Sequence, residues 1–195
     1  NFCASGDSVY VRRKGVCYRL DAATGKVLGT FKAPAHKDGK KALWGHIACE
    51  NGLLFGSLIN EQHIVRHAWR PADMSRLFTE SKTFFVMDAK TGKLKWRYDA
   101  KQSIRHNAIA IGDGRVFLID RPRALADLLD QKAARRGIKK GTPLVHATGE
   151  LVCLDAATGK PAWQNKKDIF GTVLVFSEQH DMLLMSYQST RFKLP

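Results

Sequence analysis

The sequence has no Cys-x-x-Cys pair and no two adjacent cysteines; Cys3, Cys17, Cys49 and Cys153 are scattered along it. That spacing excludes the usual zinc-binding patterns and supplies no disulfide framework. Cys17, Cys49 and Cys153 lie within apolar stretches, where a free thiol behaves as a small buried hydrophobe. No apolar run approaches the roughly 18 residues a membrane-spanning helix needs. A G-x-x-x-x-G-K loop to cradle phosphate is missing, as is a G-x-S-x-G elbow to activate a serine. Neither end shows a signal-peptide pattern, and a chain running from Asn1 to Pro195 reads as a piece of a longer protein. Acidic residues are scarce: 18 Asp and Glu face 32 Lys and Arg, a formal charge of +14 at neutral pH. Such a field favours acidic partners, such as nucleic acid, anionic lipid or polyanionic sugars, or it serves to keep a surface soluble. No nucleic-acid-binding motif accompanies it.

Against these absences stands a phrase that occurs three times: D-A-A-T-G-K at 21–26, D-A-K-T-G-K at 88–93 and D-A-A-T-G-K at 155–160. Each copy lies between short apolar runs, as a hairpin turn between two strands would. The chemistry suits a turn. Asp21, Asp88 and Asp155 can accept hydrogen bonds from backbone N–H groups two or three residues on. Thr24, Thr91 and Thr158 add a hydroxyl, and Gly25, Gly92 and Gly159 supply the positive φ that reverses the chain. Repetition of this kind marks a repeat protein. A second turn signal recurs upstream, in CASGDSVYV (3–11), IACENGLLFGSLI (47–59) and AIAIGDGRVFLI (108–119), with a polar loop replacing it in LVFSEQHDMLLMSY (174–187).

Alternating the two turns gives a four-stranded antiparallel unit: A, tight turn, B, connection, C, D-x-x-T-G-K turn, D. Residues 1–31 supply B, C and D of a first unit, with strand A missing. Residues 44–99 form a second, 105–165 a third, and 169–188 the A and B strands of a fourth. Insertions at 60–82 and 121–148 separate B from C. Pro71 and Asp73 read as the start of a short helix in the first, and Leu125, Leu128 and Leu129 share a helical face in the second, with Gly137 as its stop. Units of this kind read as β-propeller blades, each of which must stack on its neighbours to bury its faces. The fold class is therefore all-β: about three blades of a propeller, with short helical insertions in the B–C loops. Trp96 and Trp163 stand eight residues beyond Asp88 and Asp155 on strand D, where a large ring can cover the adjacent blade. The first unit has Gly29 at that position, with Phe31 nearby as a substitute.

The pattern D-x-x-T-G-K-x-x-W, complete at Asp88–Trp96 and Asp155–Trp163 and lacking only the Trp at Asp21–Lys26, resembles the tryptophan-docking motif of the PQQ-type (quinoprotein) β-propellers. That superfamily includes quinoprotein alcohol dehydrogenases and a propeller lipoprotein of outer-membrane protein assembly. The resemblance implies a structural role for these residues, the rest of a larger propeller as a partner, and an extracytoplasmic location, in a bacterial periplasm or at an outer membrane. It is almost silent on activity, because such residues face other blades.

In this strand order the B–C and D–A connections emerge on one face, and strand A is innermost. Trp44 and His46 of one blade, and Arg105, His106 and Asn107 of the next, are therefore the ligand-binding candidates, ringing the mouth of a central channel. The alternative is that they bond to neighbouring strands or to water. The second insertion adds basic-face candidates: Arg121, Arg123, Arg135, Arg136, Lys139 and Lys140. His63 and His67, four apart, lack a third ligand nearby, so no metal site is assigned. No cofactor is evident. A quinoprotein enzyme would need PQQ with calcium, hence several oxygen ligands, whereas the A-strand starts here are His, Arg and Asn. The expected function is a propeller scaffold that binds another protein or a polyanion on one elaborated basic face. The alternative is a segment of a PQQ-dependent dehydrogenase whose cofactor residues lie mostly elsewhere.

Overall fold

The computed structural model describes residues 2–13, 15–59, 65–66, 76–77, 80–122 and 148–187. In chain order the strands are β1 (Phe2–Ser5), β2 (Ser8–Arg13), β3 (Val16–Asp21), β4 (Val27–Lys32), β5 (Trp44–Glu50), β6 (Leu53–Ile59), β7 (Val65–Arg66) and β8 (Arg76–Leu77). They continue with β9 (Glu80–Asp88), β10 (Leu94–Gly112), β11 (Arg115–Asp120), β12 (Glu150–Asp155), β13 (Pro161–Asn165), β14 (Val173–Ser177) and β15 (Met182–Ser186). All pairings are antiparallel. The first sheet runs β1-β2-β3-β4, the large one β13-β12-β11-β10-β9-β6-β5, and β14-β15 begin another. Among the described residues there is no helix. The expected helices, opening at Pro71 and Asp73 and running through Leu125, Leu128 and Leu129 to Gly137, fall outside the described residues; within the first insertion β7 pairs with β8.

The strands depart from the sequence expectation in two places. The first unit does have its A strand: β1 pairs with β2 from Phe2↔Val11 to Ser5↔Ser8. The second and third units are not separate sheets, because β10 runs for 19 residues and serves both. Its first part pairs with β9 (Trp96↔Val86 to Asp99↔Thr83) as strand D. Its last part pairs with β11 (Ile109↔Leu118 to Gly112↔Arg115) as strand A of the next unit.

At the crossing, the Asp120 carboxylate accepts three successive backbone N–H groups. They come from Lys101 at 2.6 Å, Gln102 at 2.9 Å and Ser103 at 3.1 Å. These groups leave the strand ladder where β10 changes partner, and a buried N–H without an acceptor is costly. Asp120 is buried and supplies the acceptors.

The interior strands are apolar throughout because both of their faces are covered. On β9, Phe85 and Met87 enter the core against the first sheet, whereas Phe84 and Val86 enter the core against the third unit. On β11, Val116 and Leu118 face back toward the second unit, and Phe117 and Ile119 face forward toward β14. The period-two alternation of a strand thus feeds two cores at once. Where one face is bare the alternation becomes visible, as in β15, exposed at every other residue.

The repeated turns form as their composition demands. Asp21, Asp88 and Asp155 accept the N–H of Thr24, Thr91 and Thr158 at 2.8, 2.8 and 2.7 Å, and their hydroxyls at 2.6, 2.8 and 2.7 Å. Gly25, Gly92 and Gly159 adopt φ of 69, 70 and 73°. The second and third turns each receive the ring of the preceding unit. The Trp96 indole lies over Gly159 and donates its Nε1–H to the Ala156 carbonyl at 2.9 Å. In the first unit Phe31 takes that place, its ring against Gly92.

Candidate functional site

The starts of the A strands are irregular. The β5–β6 ladder shifts register between Trp44 and Ile47, and the β10–β11 ladder between Ile104 and Ile109. Such bulges re-aim side chains. Here they bring His46 and His106 together, ring centroids 6.4 Å apart. A hydrogen-bonded chain runs beneath them across four strands. The His46 N–H donates to Ser57 Oγ at 2.7 Å, Ser57 and Ser81 share a bond of 2.7 Å, and Ser81 Oγ lies 2.8 Å from His106 Nε2. Gly45 leaves room for this chain: a Cβ there would sit 2.6–2.7 Å from Ser57, Ser81 and His106.

Burial, together with the Arg12 guanidinium, pushes His46 down to about 4. Burial, His46 and Arg12 push His106 down to about 3. Both rings are therefore neutral at physiological pH. Ser81 beside His106 has the spacing of a nucleophile and its base. Ser81 and Ser57 are 0% exposed, however, so no substrate carbonyl can reach either hydroxyl. The two buried hydroxyls and the two half-buried rings link β5, β6, β9 and β10 through one polar network.

The remaining sequence-derived candidates take different places. Trp44 is buried in the core between the first two sheets, edge-on to Phe85 at 4.9 Å, so it presents no ring to a ligand. Arg105 is buried with its Nε 3.2 Å from Glu80 Oε1, and Glu80 Oε2 accepts Ser103 Oγ–H at 2.9 Å. Asn107 is exposed. Arg121, expected on an exposed basic loop, is instead fully buried, and its N–H donates to the Ser103 carbonyl at 2.9 Å. Arg123, Arg135, Arg136, Lys139 and Lys140 lie outside the described residues, as do His63 and His67.

The fit of these residues to PQQ with calcium is poor. Glu80 and Asp120, the carboxylates nearest the A-strand starts, are committed to Arg105 and Ser103 and to the β10 backbone. Trp44, the stacking candidate at the start of β5, lies in the core and presents no ring.

A cleft of about 460 Å³ opens where the 33–43 connection crosses the ends of β6 and β9 and the middle of β10. Its walls carry Lys37, Lys40, Lys41, Lys82, Arg97 and His36 against Asp38 and Asp99. Both carboxylates are engaged: Asp38 with Lys40 at 2.9 Å, and Asp99 with Arg97 at 2.6 Å and Lys37 at 3.2 Å. Burial works to raise the Asp99 carboxyl, but hydrogen bonds from Arg97, Thr83 and Lys37 outweigh it and hold the group below its usual range. The Arg97 Nη1–H donates to the Ala35 carbonyl at 3.2 Å, which ties the connection down onto β10. Sequence reasoning placed the D–A connections on the elaborated face but missed this cleft, because Lys82 and Arg97 join it only through strand pairing.

Four-stranded antiparallel units packed one on the next, the second and third turns each receiving a ring from the unit before, define this molecule as a segment of a β-propeller. The chain belongs to the family described as outer membrane protein assembly factor BamB, whose model matches residues 13–136. No curated protein matches the sequence. Among solved structures, the Dos1 propeller is similar at 13% identity and a TM-score of 0.54, over 92% of this chain and 40% of that one. BamB from Moraxella catarrhalis aligns at 12% identity and a TM-score of 0.49, over 91% of this chain and 40% of that one. A europium-containing methanol dehydrogenase aligns at 15% identity and 0.46, over 83% of this chain and 23% of that one. The Dos1 likeness shows the fold. The chain spans between 23% and 40% of the length of these three structures.

Proposed function

We propose that this chain is part of an extracytoplasmic propeller that works as a binding scaffold and docks an acidic segment of another protein in the cleft beside the 33–43 connection. One observation carries the reading: five cationic side chains line the cleft against two carboxylates, both already ion-paired. That leaves an excess of positive charge in a concave site, which attracts and orients an acidic partner more than it adds raw affinity. Family membership supports the scaffold role and the location, since the family description is that of an outer-membrane assembly factor. The remaining blades of the propeller are the other partner this reading requires. Its rival is the PQQ-dependent dehydrogenase, to which the committed carboxylates and the buried Trp44 lend no support.

The test uses full-length protein and a fluorescent poly-glutamate peptide. Affinity should fall steeply with added salt. Lys41→Glu and Lys82→Glu should each weaken binding about tenfold, and Lys26→Glu, on a distant turn, should not. Equal affinity in all three variants would overturn the proposal. PQQ with calcium should leave the melting temperature of the full-length protein unchanged, whereas a rise of several degrees would favour the dehydrogenase.

A further inference from the structure

The inner edges of the first two sheets lie side by side. β1 ends the first sheet, β5 ends the large one, and the two strands are in contact. Cys3 sits on β1 opposite Tyr10, and Cys49 sits on β5 opposite Leu54. Both are half-buried and pack on the same core as Tyr10 and Leu54. The two thiols are close enough across this contact to perturb each other's ionisation. Cys17 lies in the same core but is fully buried, with Sγ 4.0 Å from the Tyr18 carbonyl. Cys153 belongs to the core on the far side of the third unit.

We infer that Cys3 and Cys49 are a modification site: a disulfide-forming pair that staples the first sheet to the second. The co-reactant is a disulfide, either a small one or that of a thiol oxidoreductase. A thiol on each side of one interface, on two edge strands in contact, is the arrangement a cross-link needs.

Burial raises both thiols, but the Cys3 thiol donates toward Cys49 and opposes the rise there. Cys49 is accordingly the attacking group, since the thiolate is the nucleophile. Its sulfur attacks one sulfur of the incoming disulfide and displaces the other as a thiolate, leaving a mixed disulfide on Cys49. The Cys3 sulfur then attacks Cys49 Sγ and displaces the second thiolate. The two cysteines lose two electrons and two protons, and the co-reactant gains both as two thiols.

The experiment exposes folded full-length protein to glutathione disulfide, blocks the remaining thiols with an alkylating agent, and maps peptides without reduction. The expected result is a peptide containing Cys3 joined to one containing Cys49, formed equally in wild type and in Cys17→Ser. Oxidised protein should melt several degrees above reduced protein, and Cys3→Ser should abolish that difference. Recovery of Cys3 and Cys49 both alkylated, or of Cys3 joined to Cys17, would overturn the inference.

Discussion

Gly25 and Gly159 share the same left-handed backbone, φ +69 and +73°, yet differ in their surroundings. A Cβ at Gly25 would meet nothing within 4 Å, whereas at Gly159 it would stand 2.6 Å from the Trp96 ring. Gly25→Ala should therefore cost only the backbone strain, about 1 kcal/mol. Gly159→Ala adds displacement of the indole and should cost roughly 2–4 kcal/mol, both measurable by urea unfolding. The turns themselves were fully legible in the sequence, because Asp, Thr and Gly act on atoms two to four residues away. Phe31 as the first unit's ring was legible too, since it is the large apolar side chain nearest to where the other units carry Trp. Ser57, Ser81, Glu80 and Asp120 were not legible. Their partners stand 11 to 25 residues off, and only the strand register brings them close. For the same reason His46 and His106 were found as individuals but not as a pair.

Strand β10 owes its continuity to the buried Asp120. Asp120→Ala would leave three N–H groups without their acceptor, and we expect a loss of roughly 3 kcal/mol, read by thermal or urea unfolding. Asp120→Asn should lose less, because an amide oxygen still accepts. The four strands joined by the Ser–His chain carry a pH signature. Both imidazoles hold protons less readily in the fold than in the unfolded chain, where the usual value is 6.5. Their contribution is therefore complete above about pH 6.5 and drains away as the pH falls to about 4 and then 3. The melting temperature should decline across that window, and His106→Gln should flatten the decline. The turn carboxylates act lower down: Asp21, Asp88 and Asp155 are depressed chiefly by hydrogen bonds from Thr24, Thr91 and Thr158. What they contribute is present above about pH 4 and is lost below it. Strand rhythm was readable because each run of apolar residues is closed by a turn. The joining of two units through β10 was not, since Lys101, Gln102 and Ser103 look like a polar loop until Asp120 is placed beneath them.

At the scale of the molecule, the uneven coverage of the sheets decides behaviour. Phe2, Val175, Met182, Leu184 and Trp163 are all largely exposed. Residues 1–195 made alone should therefore aggregate or melt without cooperativity, and a sharp monomeric transition in calorimetry would contradict that. Trp163 differs from Trp96 for the same reason: no turn among the described residues receives its ring. The joints between units differ as well. The first and second units meet through packing and the irregular 33–43 connection, but the second and third units share one unbroken strand. Pulled from its two ends, reduced protein should extend in unequal steps. The first sheet should peel away at low force as its connection straightens. The second and third units should hold and then give way together, because tension passes directly along β10 and loads both ladders in shear.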